Sequence, residues 1–145
     1  MIKKSLRKEL INGKIKRITE LLEVIEEHLP KEFEDFKSSR LIRDAVYKEV
    51  EGAIEYVLDV CNIINSDLLL GVPETEEDII KHLEDKKVIN KNISQIIGEM
   101  KGFRNILVHK YGEIDDEIAF EEIRKGIADF ETIVKEFEDV LKRFD

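Results

Sequence analysis

The sequence predicts an all-α fold, an antiparallel up-down bundle of four long helices plus one short helix. Three observations carry this reading. Apolar residues recur at alternating spacings of three and four over four long stretches, the signature of helices with one buried face. No strand-like alternation competes with them. The connections between the stretches are short, which makes consecutive helices antiparallel neighbours.

The first helix is expected from about residue 3 to 29, with Ile11, Ile15, Ile18, Leu22, Ile25 and Leu29 on one stripe and Pro30 helping to end it. The second follows Ser38 and Ser39, both suited to N-capping. It carries Ile42, Val46, Val50, Ala53, Val57, Cys61 and Ile64 and fades near Asn65. Gly71-Val72-Pro73-Glu74-Thr75 reads as a loop. Thr75 with Asp78 resembles a capping box and predicts a short helix over about 76–84. A third long helix is expected over about 88–110, on Ile89, Ile93, Ile96, Met100, Phe103 and Leu107, with Gly112 as its left-handed stop. Asp115 caps the last helix, whose stripe is Phe120, Ile123, Ile127, Phe130, Val134, Phe137, Leu141 and Phe144. That aromatic stripe reads as core or dimer seam.

A chain of 145 residues suits one domain spanning 1–145, with a core that needs no covalent staples. Charged residues make up 39 %, against about 25 % in an average domain. The excess is Lys and Glu, a bias of thermophilic proteins, and it predicts a melting temperature above about 65 °C. The lone Cys61 excludes an intramolecular disulfide and a Cys-rich zinc site, and it reads as a buried, inert thiol. No apolar run reaches the roughly 18–20 residues of a membrane span and no signal-peptide core opens the chain, so a cytoplasmic protein is expected. The net charge of −9 argues against a general nucleic-acid coat protein. Lys3, Lys4, Arg7, Lys8, Lys14, Lys16 and Arg17 nevertheless face only Glu9 within residues 1–17, either as a solvated helix face or as a phosphate-attracting patch.

Residues 104–111 hold most of the functional information: Arg-Asn-Ile-Leu-Val-His-Lys-Tyr. A helix end needs a cation near its last carbonyls and a stop, not four polar types together. On a helix, Asn105 and His109 share a face, while Arg104 and His109 lie about 140° apart. They converge if the arginine swings round, or if two copies meet across a symmetric interface. Histidine moves protons near neutrality, and arginine matches phosphate oxygens with a planar fork. The pair fits metal-independent cleavage of RNA. A ribose 2′-hydroxyl attacks phosphorus, His109 handles the proton, Arg104 stabilises the phosphoryl charge, and Asn105 orients His109 or holds an oxygen. The competing reading is purely structural, with Arg104 paired to an acid and His109 capping carbonyls. His28 reads as a helix-dipole contact and His82 as exposed. Neither forms a metal-binding pattern with another histidine, and no Gly-rich phosphate loop is present, so no cofactor is expected.

Phe103 to Tyr111 closely resembles the Arg-x4-His-x-Tyr signature of HEPN-domain proteins, and most of all their HepT (DUF86) branch. Ala53–Ile64 resembles the family's second helix, and Ile114–Ile123 resembles the opening of its last. The resemblance implies an all-α homodimer with the motif in a cleft between protomers, acting as a toxin ribonuclease. It implies an MntA-like minimal nucleotidyltransferase as antitoxin partner, transferring AMP to the motif tyrosine. Carried over, Arg104 and His109 are catalytic and Tyr111 is the modification target. An acid of the second helix often joins such sites, and Glu55 and Asp59 are both candidates here. Lys101 and Lys110 are the expected RNA-binding cations. Tyr111, seven residues from Arg104, is expected nearly to eclipse it, so that an anionic adduct occupies the arginine. The alternative is a non-catalytic helical binding module that partners a nucleotidyltransferase.

Overall fold

The structure is a computed structural model and describes residues 5–144. Lys3 and Lys4 of the basic cluster lie outside the described residues. Helix α1 (Lys8–His28) buries Ile11, Ile15, Ile18, Leu22 and Ile25 as the spacing requires. Among the described residues it begins at Lys8 rather than near residue 3. Arg7 marks the boundary: its backbone N–H and its Nε donate to the two oxygens of Asp67 at 2.9 and 2.8 Å, tying the start of α1 to the end of the central helix.

The sequence reading missed a second helix, α2 (Phe33–Lys37). Five residues are too few to show a period. Its role is to insert Phe36, fully buried, between Tyr47 and Phe120, with ring centroids 5.6 and 5.1 Å away.

Helix α3 (Arg40–Asp67) is capped by Ser39, whose Oγ accepts from Ile42 N–H at 3.2 Å. The expected stripe of Val46, Val50, Ala53, Val57, Cys61 and Ile64 is buried, and so are Tyr47, Ile54, Leu58 and Val60. This wide apolar arc follows from position, because α3 packs on α1, on α2, and on the two helices that follow it, α4 (Glu76–Asp85) and α5 (Lys91–His109). Burial pushes the Cys61 thiol up to about 12, well above the ordinary 9.0, so it is inert at neutral pH.

Helix α4 (Glu76–Asp85) opens with the capping box expected at Thr75 and Asp78. The preceding loop is pinned from below. Asn65, buried, donates to the Gly71 carbonyl at 2.9 Å, and its Oδ1 meets His82 Nδ1 at 2.9 Å. His82 is therefore half-buried and structural rather than exposed. Gly71 holds φ +132°, a conformation that L residues rarely adopt. His28 closes the last turn of α1, as the helix-dipole reading expects, and its Nδ1 also lies 2.7 Å from Glu49 Oε2 on α3.

Helix α5 (Lys91–His109) starts after the cap Asn90, three residues later than expected, because Val88 and Ile89 are buried in the bend that closes α4, where both N–H groups donate to the Leu83 carbonyl at 2.9 and 3.3 Å. Its fully buried face is Ile93, Ile97, Met100 and Leu107, with Ile96 and Phe103 only partly covered. Gly112 is not a left-handed stop. Lys110 leaves the helix at φ −130°, and Tyr111–Glu113 tighten into a 3₁₀ turn closed by Glu113 N–H to the Lys110 carbonyl at 2.9 Å. Helix α6 (Asp116–Arg143) begins at its cap Asp115, which accepts from Glu117 and Ile118. The long helices close a ring: α1 packs on α3, α3 on α5, α5 on α6, and α6 back on α1. Among the described residues no helix is long and apolar enough to cross a membrane.

Candidate active site

Arg104 lies in the last turns of α5 and faces inward, toward α3 and α4. Its Nη1 donates to Glu55 Oε1 on α3 at 2.8 Å, and its Nη2 donates to Glu76, the first residue of α4. The arginine side chain is only 11 % exposed, and Nε is buried without a hydrogen-bond partner among the described residues. Burial opposes the positive charge, but the bonds to Glu55 and Glu76 outweigh it and hold the guanidinium above its ordinary range. One turn further along α3 from Glu55, Asp59 points elsewhere, toward Lys14 of α1 at 3.4 Å. Of the two candidate acids, Glu55 alone reaches Arg104. Beside it, Lys101 is paired with Glu77 of α4, whose carboxyl that bond lowers below its usual range.

Asn105 and His109 occupy the other flank of α5. Asn105 is half-buried and His109 is exposed at the last helical position. Among the described residues neither side chain has a hydrogen-bond partner. Within one protomer Arg104 and His109 therefore face apart, as the 140° offset requires. Next to this flank, Phe103, Ile106, Ile114, Ile118 and Ala119 line an apolar groove between α5 and α6, and Ile106 and Ile118 are exposed on it. Lys110 borders the same groove.

Tyr111 corrects the eclipsing argument. It lies beyond the end of α5, and the 3₁₀ turn takes it off the helical register. Its hydroxyl donates to Asp44 on α3, not toward Arg104, and the residue remains 47 % exposed. Its ring meets Tyr47 edge-on at 6.0 Å. The Tyr47 hydroxyl in turn donates to Asp116 at 2.6 Å. Among the described residues no three His, Cys, Asp or Glu side chains converge as metal donors.

The ribonuclease HepT-like family model matches residues 18–137. The chain belongs to this family. It is 31 % identical over 107 residues to the mRNA nuclease HepT of Shewanella oneidensis, covering 74 % of this chain and 77 % of that protein. Its fold superposes with a TM-score of 0.81 on the tri-AMPylated Shewanella oneidensis HEPN toxin solved in complex with MNT antitoxin, at 26 % identity, over 89 % of this chain and 96 % of that one. A toxin–antitoxin structure with AMP-PNP gives a TM-score of 0.83 at 25 % identity, over 90 % and 98 %. YutE of Bacillus subtilis, 17 % identical with a TM-score of 0.81 over 97 % and 94 %, shares the fold.

For a HepT-like ribonuclease, three neighbours of the motif escaped the sequence reading: Glu76, Asp44 and Tyr47. Glu76 had one usable signal. The acids Glu76, Glu77 and Asp78 open α4, and cations on α5 are natural counterparts for such a run. Asp44 and Tyr47 had none, because their link to Tyr111 spans 67 and 64 positions and depends on how α5 ends.

Proposed function

We propose that this chain is an endoribonuclease toxin that works in the cytoplasm, without a metal, as a homodimer. Arg104 and His109 are its catalytic residues. The 2′-hydroxyl of RNA attacks the adjacent phosphorus, giving a cyclic phosphate and releasing the 5′-oxygen of the next nucleotide. His109 transfers the proton, and Arg104 stabilises the charge on the phosphoryl oxygens. Glu55 holds Arg104 in place. Asn105, on the face of His109, steadies the imidazole or an oxygen. Lys110, and Lys101 once released from Glu77, attract the RNA backbone. An MntA-like nucleotidyltransferase is the antitoxin and transfers AMP to Tyr111.

One observation carries the reading. On a HepT-like fold, the motif arginine is held between Glu55 and Glu76 while the motif histidine, exposed and without a hydrogen-bond partner among the described residues, stands on the opposite flank of the same helix. The exposed apolar groove beside that flank suits a second copy, which brings His109 and Arg104 of two protomers together. Ile118→Glu should therefore yield a monomer without cleavage, and an active monomer would remove the composite site.

The direct test incubates protein with cellular RNA in EDTA beside the His109→Ala variant. Cleavage by wild type alone supports the mechanism. Equal cleavage by both displaces His109 from it. No cleavage by either, with Tyr111 shown unmodified by mass spectrometry, favours the binding-module reading. RNA affinity should fall steeply between about 50 and about 300 mM salt, because phosphate contacts release counterions.

A further inference from the structure

We propose that Asp44 is the proton acceptor and positioning residue for nucleotidyl transfer to Tyr111, so that the acceptor chain supplies its own base. This rests on the reading of Tyr111 as the AMP acceptor. Three features converge on the hydroxyl. Tyr111 Oη donates to Asp44 Oδ1, which leaves an oxygen lone pair free to face solvent and an incoming phosphorus. On its other side Asp44 pairs with Arg40, its Oδ2 lying 3.4 Å from Arg40 Nε. The ring is braced by Tyr47, itself anchored through Asp116, which Arg43 Nε approaches at 3.7 Å. A cleft bounded by Asp44, Tyr47, Lys48, Glu51, Leu107 and Tyr111 opens beside it.

In the step, Tyr111 Oη attacks the α-phosphorus of a nucleoside triphosphate presented by the transferase. The Oη–P bond forms, the bond from that phosphorus to the bridging oxygen breaks, and pyrophosphate leaves. The hydroxyl proton passes to Asp44 Oδ1. The hydrogen bond holds Asp44 below the usual carboxylate range and Tyr111 above the usual phenol range. The base is therefore ionised at every physiological pH, while the phenol keeps its proton until attack acidifies it. Arg40 and Arg43 both favour negative charge on Tyr111 and stand ready to offset the charge of the phosphodiester.

The test needs no partner enzyme. Adenosine 5′-phosphorimidazolide is an activated nucleotide that transfers AMP to nucleophiles with loss of imidazole. Labelling of Tyr111 is read by peptide mass spectrometry relative to Tyr56, an internal standard that cancels the pH dependence of the reagent. Tyr111 in wild type should outpace Tyr56, and Asp44→Asn should slow it about 100-fold at neutral pH, the lower end of general-base effects. Asp44→Glu should restore part of the loss. From pH 6 to 8 the wild-type Tyr111/Tyr56 ratio should fall, because a phenol without a base beside it gains reactivity as pH rises while Tyr111 has its base throughout. In Asp44→Asn the ratio should stay flat, which a merely structural defect would not produce. Equal labelling of Tyr111 in wild type and Asp44→Asn overturns the role of Asp44 and leaves Tyr111 as acceptor. Labelling of wild-type Tyr111 no faster than Tyr56 overturns both.

Discussion

The two acids around Arg104 should matter more to stability than the arginine itself. Glu55 and Glu76 are 43 % and 39 % exposed, whereas Arg104 is 11 % exposed. Removing the arginine as Arg104→Met keeps its apolar stem and leaves two carboxylates that can rehydrate. Removing both acids strands a cation that is already out of water. A charge-assisted bond to a desolvated ion contributes about 1.5–3 kcal/mol, and an exposed pair about 0–1 kcal/mol. Half-exposed acids place each bond near 1–1.5 kcal/mol. Glu55→Ala/Glu76→Ala should then cost about 3 kcal/mol, the lower limit for stranding a buried charge, and Arg104→Met about 1 kcal/mol. At the entropy of unfolding typical of a chain this long, those losses are about 10 °C and about 3 °C in Tm. Urea unfolding followed by circular dichroism measures both, at one protein concentration because the proposed dimerisation would add to apparent stability. Arg104→Met proving more damaging than the double acid variant would refute the reasoning.

Other expectations follow from the same geometry. On the proposed mechanism His109→Ala should abolish RNA cleavage while moving stability by less than about 0.5 kcal/mol, since the side chain is exposed and has no partner among the described residues; a melt and a gel on one sample check both. Phe36→Ala should cost about 3–5 kcal/mol, because it opens a cavity at the α2–α3–α6 junction, as denaturant titration would record. Gly71→Ala should cost about 1–2 kcal/mol, since φ is +132° and the new Cβ would lie 3.1 Å from the His82 ring. Alkaline pH should destabilise the fold. Cys61 and Tyr47 have folded-state pKa values raised above their unfolded values, each first by burial. Their contribution is complete below the unfolded values and is lost as pH rises past about 9 for the thiol and about 10 for the phenol. Melts from pH 8 to 11 should show Cys61→Ala delaying the onset of that loss by about one pH unit.

The bundle was legible because long amphipathic helices repeat their apolar spacing often enough to average out local exceptions. The stripes of α1 and α3 appear as read except at their ends, where Leu29 falls just beyond α1 and it and Ile42 are only partly buried, and Ser39, Thr75 and Asp115 cap where their side chains allow. What escaped was short or non-local. Helix α2 has too few residues for a period. The end of α5 depends on one residue, Lys110, leaving the helical region, and glycine at 112 was the wrong signal because a 3₁₀ turn needs no positive φ. His82 looked like a surface residue, since its partner Asn65 is seventeen positions away. At the site, the motif named the chemistry and left open which acid serves Arg104. Glu55 and Asp59 sit one turn apart on α3, and only packing against α1 and α5 separates them.

The spacing of the motif then acquires a physical reason. Four residues between arginine and histidine turn them to opposite flanks of α5, so on the proposed mechanism one protomer alone does not align a phosphate clamp with a proton carrier. The arginine meanwhile sits against two carboxylates. An RNA phosphate reaching it competes with Glu55 and Glu76, and a ligand that displaces Glu76 also loosens the Lys101–Glu77 contact one residue along α4. Glu55 lies on the helix at the centre of the bundle, while Glu76 opens a short helix held by a capping box and a loop latch. Glu76 is thus the cheaper contact to release, and Glu55 the one that keeps the guanidinium aimed. On the proposed mechanism, Glu76→Ala should leave cleavage intact or raise it, while Glu55→Ala should lower it. Single-turnover assays would separate the two, and equal losses would mean that both acids serve only to bury the arginine.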